Sequence, residues 1–256
     1  MSFLAEIFEG DSSDMRHVGD GEADLILTSP PYYPDSIEET LRLPIGKQID
    51  VEKVAKEVFA FQRSLWPVLT ECARALRPGG TLCLISSDIR FGGFLFAVIS
   101  MLREGAEMAG FRLFSRTHLR MIGYRRRLTP NSGRAFRSDD TSAIEVFSKG
   151  FNQSPKLKPT LAADEFKRLS SPFWVVNSAG NSRIHPHQLT STVVRRLLSL
   201  YSSKGDLVVD PFAGSGSTII EAARMGRRSV GYEIVPERAE KAKAHLKKKL
   251  KAVSVT

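Results

Sequence analysis

The chain has 256 residues, of which 42% are hydrophobic and 25% are charged. These are ordinary globular proportions, so we expect a buried core rather than a disordered chain. The two cysteines, Cys72 and Cys83, are too few for a disulfide framework or a cysteine-rich zinc site. The sequence has no apolar run near the roughly 20 residues of a membrane helix, and no basic and apolar leader. We therefore expect neither a membrane span nor a secretory signal.

The net charge of +9 results from 37 Lys and Arg residues against 28 Asp and Glu residues. Most of the excess lies in residues 112–137, which contain eight arginines and no acidic residue. Phe114, Tyr124 and Phe136 are interleaved with these arginines, a mixture that suits a phosphate backbone and unstacked bases. A plain basic surface is the alternative. The arginines are Arg112, Arg116, Arg120, Arg125, Arg126, Arg127, Arg134 and Arg137.

Hydrophobic periodicity predicts strands and helices that alternate along the chain. Pro67 falls inside the first helical segment and predicts a kink or a break there. This alternation is typical of an α/β fold with a mostly parallel sheet. In chain order we predict a strand at 23–28, a loop at 33–50, a helix at 54–76, a turn at 77–80, a strand at 81–86, a helix at 94–108, strands at 111–119 and 141–147, a connector at 149–172, a helix at 190–201, a strand at 207–209, a helix at 218–225, a strand at 228–232 and a helix at 236–251.

Ligands of parallel sheets bind beyond the carboxyl ends of the strands. Three predicted strands are followed directly by Gly, Pro, Ser or acidic residues, at 28–33, at 210–218 and at Glu233. We therefore expect these three positions to line one edge of the sheet and to form a binding site there.

A glycine-containing turn, Asp-Pro-Phe-Ala-Gly-Ser-Gly-Ser-Thr at 210–218, follows a strand and opens a helix. Its two glycines allow a ligand to approach closely, and the helix N-terminus offers free amides to a carboxylate. The turn lacks the third glycine of the dinucleotide fingerprint and the Gly-Lys-Ser/Thr of a P-loop, which disfavours NAD and ATP. Glu233, at the end of the next strand, is placed to accept hydrogen bonds from ribose hydroxyls. A nucleoside that bears a carboxylate, S-adenosylmethionine, fits this pattern, whereas a purely structural loop is the alternative.

A second turn, Thr-Ser-Pro-Pro-Tyr-Tyr at 28–33, follows the first predicted strand. Its prolines fix the backbone and keep their carbonyls as rigid acceptors. Ser29 and the Pro30 carbonyl could receive the hydrogens of a planar amino group, while the ring stacks on Tyr32. A flipped nucleobase is such a group, and a simple strand-ending proline turn is the alternative.

Together these two turns resemble the amino-group DNA methyltransferases, which methylate cytosine N4 or adenine N6. The turn at 28–33, here called the catalytic turn, precedes the turn at 210–218, here called the glycine turn. This order resembles the circularly permuted class called beta. Each further match is weak, but their joint order is specific. These matches lie at 7–11, 75–81, 144–149, 173–174, 185–188 and 231–233.

The resemblance implies an α/β, Rossmann-like S-adenosylmethionine-dependent methyltransferase fold with circularly permuted motif order. The expected sheet is mostly parallel, with helices on both faces. Residues 1–256 would form a single catalytic domain with a small DNA-recognition or insert region at about 112–172. The cofactor would be S-adenosyl-L-methionine, with S-adenosyl-L-homocysteine as product, and no metal is expected.

The resemblance also assigns site residues by their match to the family motifs. The predicted catalytic residues are Ser29, Pro30, Pro31 and Tyr32. The predicted cofactor-binding residues are Asp11, Thr28, His185, Asp210, Pro211, Phe212, Ala213, Gly214, Ser215, Gly216, Ser217, Thr218 and Glu233. The DNA-binding residues are predicted from the arginine-rich segment instead, and they are Arg116, Arg120, Arg125, Arg126, Arg127, Arg134 and Arg137.

The first residue of the catalytic turn bears on the target base. Ser-Pro-Pro-Tyr is typical of cytosine-N4 enzymes in this family, whereas Asp or Asn in place of Ser29 is more typical of adenine-N6 enzymes. We therefore expect direct in-line methyl transfer to N4 of a flipped cytosine. The rivals are an adenine-N6 enzyme, methylation of an RNA or a protein amide, and a catalytically inactive nucleic-acid-binding subunit.

The expected partner is double-stranded DNA in a prokaryotic cytoplasm. A second copy of the chain and a cognate restriction endonuclease are further candidates, and no membrane partner is expected.

Overall fold

The computed structural model describes residues 5–37, 50–91, 94–122, 136–138, 141–150, 162–177 and 189–251. Eleven strands occur in these ranges, eight of them in one central sheet. The strands are β1 Ala5–Glu9, β2 Ala23–Thr28, β3 Leu76–Ser86, β4 Ile89–Phe91, β5 Phe94–Phe96, β6 Phe111–Ile122, β7 Phe136–Ser138, β8 Thr141–Lys149, β9 Phe173–Asn177, β10 Leu207–Asp210 and β11 Arg228–Glu233.

The central sheet has the order β1-β11-β10-β2-β3-β8-β6-β9. Strand β8 is antiparallel to both of its neighbours, and every other neighbouring pair is parallel. The mostly parallel sheet predicted from the alternating pattern is thereby confirmed. A second, three-stranded antiparallel sheet has the order β5-β4-β7.

Helices cover both faces of the central sheet. Successive residues of β2 point to opposite sides, so Ile26 packs with the helices of one face whereas Leu25 and Leu27 pack with those of the other. The first face carries α1 Val51–Ser64, α2 Trp66–Ala75 and α3 Val98–Met108. The second face carries α4 Ala163–Leu169, α5 Ser191–Tyr201, α6 Ser217–Arg224 and α7 Pro236–Lys251.

The break predicted at Pro67 is confirmed. Helix α1 ends before Leu65, and α2 begins at Trp66 with the proline in its first turn, where a proline costs no intrahelical hydrogen bond. The Asp50 side chain accepts from the Lys53 amide at 2.9 Å and so caps the start of α1.

Three local predictions were wrong. The turn predicted at 77–80 lies within β3, although the ladder there is irregular, since Leu76 pairs with Ala23 and Thr81 pairs with Leu25. The helix predicted at 94–108 begins only at Val98, because residues 94–96 pair with β4. The connector predicted at 149–172 contains α4.

The region predicted as an insert, 112–172, contributes most of β6 and all of β8 to the central sheet. These two strands pair along nearly their whole length, so that part of the region belongs to the sheet and its core. No helix in the described ranges is both long and apolar enough to cross a membrane.

Candidate functional site: two turns around one cavity

A cavity of about 530 Å³ opens beyond the carboxyl ends of β2, β10 and β11. Both predicted turns and Glu233 line it, as expected for the ligand site of a parallel sheet. The predicted residues in its wall are Asp11, Ser29, Pro30, Pro31, Tyr32, Asp210, Pro211, Phe212, Ala213, Gly214, Ser215, Ser217, Thr218 and Glu233.

A buried hydrogen bond joins the two turns. The Thr28 hydroxyl, at the end of β2, donates to Asp210 Oδ1 at 2.6 Å. Burial raises the pKa of Asp210 to about 6, while hydrogen bonds from the Thr28 and Thr218 side chains and from the Phe212 amide oppose that rise. The bond therefore fixes the distance between the catalytic turn and the glycine turn, although Thr28 itself does not line the cavity.

The Tyr32 hydroxyl is held by two serines, Ser87 and Ser29. Burial raises the pKa of the Tyr32 phenol, so the group stays neutral at physiological pH. Ser87, just beyond the end of β3, is itself 2.7 Å from the Ser142 hydroxyl. The hydroxyl of Tyr32 is thus positioned by contacts that the sequence pattern did not reveal.

The glycine turn uses most of its amides inside the protein. The amides of Phe212, Ala213, Gly214 and Gly216 donate to Asp210 Oδ1, Tyr232 O, Glu233 Oε2 and Ala213 O, respectively. These four amides precede α6, which begins at Ser217, so the amides predicted to receive a carboxylate at the helix N-terminus are not among them. The Gly214 bond, at 3.1 Å, instead fastens Glu233 to the turn.

Gly216 is not among the residues that line the cavity, and its role is structural. It precedes α6 with a φ of +79°, and a Cβ at this position would lie 2.9 Å from Ile7 Cδ1. A side chain would be strained by the backbone and would press into the core. Gly216 thus sets the close approach of the turn to β1.

Glu233 keeps capacity for a ligand. Its side chain is buried, and its two oxygens accept from the amides of Gly214 and Val235 at 3.1 and 3.0 Å. Each carboxylate oxygen can accept more than one hydrogen bond. Asp11 also lines the cavity, and its Oδ1 accepts a hydrogen bond from the Ser13 amide at 2.9 Å.

The sequence profile of the N6/N4 DNA methylase family matches residues 23–244. The chain belongs to this DNA methylase family. The type II methyltransferase M.MjaI of Methanocaldococcus jannaschii is 29% identical over 90% of this chain and 86% of its own length.

Solved structures share the fold of this methylase. A Thermus thermophilus protein assigned as a DNA modification methylase, solved with S-adenosyl-L-methionine, gives a TM-score of 0.72 at 24% identity, covering 96% of this chain and 94% of its own. The cytosine-N4-specific PvuII DNA methyltransferase gives 0.67 at 15% identity, covering 96% and 90%. These likenesses confirm the predicted Rossmann-like S-adenosylmethionine-dependent methyltransferase fold.

The arginines predicted to bind DNA divide into three groups. Arg120 is exposed on β6. Arg116, on the same strand, is paired at 2.6 Å with Glu145, a buried carboxylate that Arg103 also contacts. The Arg116 guanidinium is thus engaged by Glu145 although its side chain is exposed, and its predicted DNA-binding role stays a prediction. The third group lies outside the described side chains and consists of Arg125, Arg126, Arg127, Arg134 and Arg137. The predicted cofactor residue His185 also lies outside the described residues.

Sequence reasoning missed several cavity residues of this methylase. Phe61 and Leu65 were counted only as apolar positions of a helix, yet both line the cavity. Arg238, on α7, also lines it and lies 3.4 Å from Asp35. Gln62 is fully buried and binds the catalytic turn. A polar residue four positions after Val58, on the apolar face of the helix, was the available signal for Gln62.

Proposed function

We propose that this methylase transfers the methyl group of S-adenosyl-L-methionine to the exocyclic N4 of cytosine in double-stranded DNA. The observation that carries the proposal is the Thr28–Asp210 hydrogen bond, which brings the catalytic turn and the glycine turn to one cavity. A cavity of about 530 Å³ lies within the usual range for small-molecule sites.

The residues of the cavity suit the cofactor. Glu233 offers acidic acceptors to ribose hydroxyls, and Phe212 and Ile234 add apolar surface to the same wall. Asp11 is the acidic residue that the family resemblance assigns near the adenine. S-Adenosyl-L-methionine, when bound, supplies a methyl group on a positively charged sulfur.

Ser29 and Pro30 are the proposed acceptors for the target amino group. An exocyclic amine is a poor nucleophile because its lone pair is conjugated with the ring. If Ser29 Oγ and the Pro30 carbonyl receive its two hydrogens, the nitrogen becomes more tetrahedral and its lone pair can point at the methyl group. The neutral Tyr32 phenol can accept a hydrogen bond from the Ser29 hydroxyl, which leaves the lone pairs of the serine oxygen for the amine. Positioning then supplies much of the rate of an in-line displacement.

The choice of cytosine over adenine rests on Ser29, because Ser-Pro-Pro-Tyr is typical of cytosine-N4 enzymes in the family that the chain resembles. Adenine N6 stays the second candidate, because the family covers both targets. A circularly permuted, beta-class motif order is part of the proposal, since the catalytic turn precedes the glycine turn in the chain.

DNA contacts are proposed for Arg120 and for the arginines at 125–127, 134 and 137. A flipped cytosine would enter the cavity beside the catalytic turn. We further propose a homodimer and a cognate restriction endonuclease as partners in a prokaryotic cytoplasm, in line with the archaeal type II methyltransferase among its relatives.

The test combines calorimetry with label transfer. The protein is titrated with S-adenosyl-L-methionine and then incubated with the methyl-labelled cofactor and either mixed-sequence duplex DNA or RNA. We expect saturable binding and label in DNA alone. Label in RNA alone would contradict the proposed substrate class, and failure to bind the cofactor would contradict the proposal as a whole.

A further inference from the structure

The side-chain amide of Gln62 is fully buried on α1. The other buried residues of this helix, Val54 and Val58, are apolar and pack in the core under the first face of the sheet. Glutamine is seldom found fully buried, and a buried amide needs hydrogen-bond partners to offset its desolvation. The partners of Gln62 therefore indicate what it does.

Both known partners belong to the catalytic turn. Gln62 Nε2 donates to the carbonyl of Pro31 at 3.1 Å and to the carbonyl of Tyr32 at 2.9 Å. Two carbonyl acceptors require the NH₂ end of the amide, so the orientation of the side chain follows from its surroundings. Gln62 Oε1 has no hydrogen-bond partner among the described residues, which means that the side chain is bound only through its donor end.

The catalytic turn has few backbone N–H groups of its own with which to form hydrogen bonds. Pro30 and Pro31 have no N–H, so two consecutive residues of the turn cannot donate backbone hydrogen bonds. Carbonyls remain the groups by which the protein can hold this segment. Gln62 takes the carbonyls of Pro31 and Tyr32 and does not compete for the Pro30 carbonyl, which the proposed mechanism assigns to the amino group.

We infer that Gln62 is a positioning residue for methyl transfer, one that clamps the distal half of the catalytic turn so that Ser29 and the Pro30 carbonyl stay directed at the cavity. The inference rests on the proposed function, in which these two groups receive the target amine. Gln62 does not line the cavity, so it acts through the turn rather than on a ligand.

Two substitutions separate the donor from the volume that it fills. Gln62→Leu keeps a similar volume without a donor, and Gln62→Glu keeps the shape but cannot donate while ionised. For Gln62→Leu we expect kcat to fall about 10- to 100-fold, as for a small misplacement of reacting groups, with the Kd for S-adenosyl-L-methionine within about twofold of wild type. For Gln62→Glu we expect the deficit relative to wild type to shrink as the pH is lowered, because the protonated carboxyl can donate again.

The matched control is Val58→Ala, one helical turn earlier on the same buried face. This variant loses core packing but removes no hydrogen bond to the turn, so it should lower the melting temperature and leave kcat unchanged. A second readout needs no activity. The chain has five tyrosines, so 3-fluorotyrosine labelling gives a simple ¹⁹F spectrum in which Tyr32→Phe identifies the Tyr32 resonance.

The Tyr32 resonance should shift or broaden in Gln62→Leu by clearly more than in Val58→Ala. If wild-type protein fails to methylate DNA, the proposed function fails and the ¹⁹F spectra alone decide the role of Gln62. Three results would overturn the inference, namely a Gln62→Leu kcat within twofold of wild type, a loss of cofactor affinity equal to the loss of kcat, or an unchanged Tyr32 resonance.

Discussion

Ser29 lines the cavity, and its hydroxyl is hydrogen-bonded to the Tyr32 phenol. Replacing it with alanine removes one of the two proposed acceptors and leaves the glycine turn and Glu233 in place. We predict that Ser29→Ala lowers kcat by roughly 100-fold while calorimetry finds the affinity for S-adenosyl-L-methionine unchanged. Ser203→Ala, at the opposite end of β10, is the control and should keep full activity. Equal losses of turnover and of cofactor affinity would contradict the role of Ser29.

Asp210 should make the folding stability depend on pH in a definite direction. Its pKa is about 6 in the folded protein, against about 3.9 for an unperturbed aspartate. The native state therefore binds this proton more tightly than the unfolded state. The resulting stabilisation is complete below about pH 4 and is lost as the pH rises through about 6, a change of ~3 kcal/mol at most.

Comparison with Asp210→Asn isolates this contribution, because asparagine does not titrate. The free energy of unfolding, measured in urea from pH 4 to 8, should fall for wild type relative to Asp210→Asn between about pH 4 and 6. Above pH 7 the difference should level off. A difference that stays constant across the whole range would mean that Asp210 does not titrate as its burial implies.

Two arginines on one strand offer a test of what β6 does. Arg116 neutralises buried Glu145 together with Arg103, whereas Arg120 is exposed four residues further along. We predict that Arg116→Ala lowers the free energy of unfolding by roughly 2 kcal/mol, since a buried charge loses one of its two partners. Arg120→Ala should leave stability unchanged but weaken DNA binding and reduce its salt dependence by about one counterion.

Urea unfolding and DNA titrations at several salt concentrations would measure both effects. Each variant serves as the control of the other, because both arginines are exposed on β6 and, in the described part of the chain, Arg116 is the one of the two that is ion-paired with buried Glu145. The stabilising role of the Arg116–Glu145 ion pair fails if Arg116→Ala is as stable as wild type. The assignment of Arg120 to the DNA surface fails if its variant binds DNA with an unchanged salt dependence.

The element pattern was predictable wherever local signals agreed. The strand at 23–28 is a short apolar run that prolines stop, and the helix at 236–251 was predicted with the bounds that the structure has. The segment at 77–80 was mispredicted because its strand pairing with β2 is non-local, whereas residues 94–96 form a short hairpin with β4 that the helical pattern concealed. Leu76 precedes Gly79 and Gly80 in the chain, Thr81 follows them, and both pair with β2. These two pairings keep the segment in the strand ladder.

The site was predictable in composition but not in its internal bonds. Both turns and Glu233 follow strands, and parallel topology brings the ends of those strands together. The contacts of Gln62 and Ser87 with the catalytic turn depend on how α1 and β3 pack against β2, and no short-range pattern encodes that. The use of the Gly214 amide by Glu233 is likewise a tertiary contact.

At the scale of the whole molecule, one doubly covered sheet places a rigid acceptor turn and a glycine turn on a shared cavity. The two turns come from distant parts of the chain and are joined by the hydrogen bond from Thr28 to Asp210. In the proposed mechanism, the cofactor that carries the methyl group and the target amine share this cavity, each beside its own turn. The methylated nucleoside that is formed identifies which exocyclic amine received the methyl group.

Mass spectrometry of nucleosides from duplex DNA methylated by the purified protein is therefore the most direct measurement. The account predicts N4-methylcytosine with wild type and only a trace of it with Ser29→Ala under the same conditions. N6-methyladenine as the product would contradict the assignment of the target base to cytosine on the basis of Ser29.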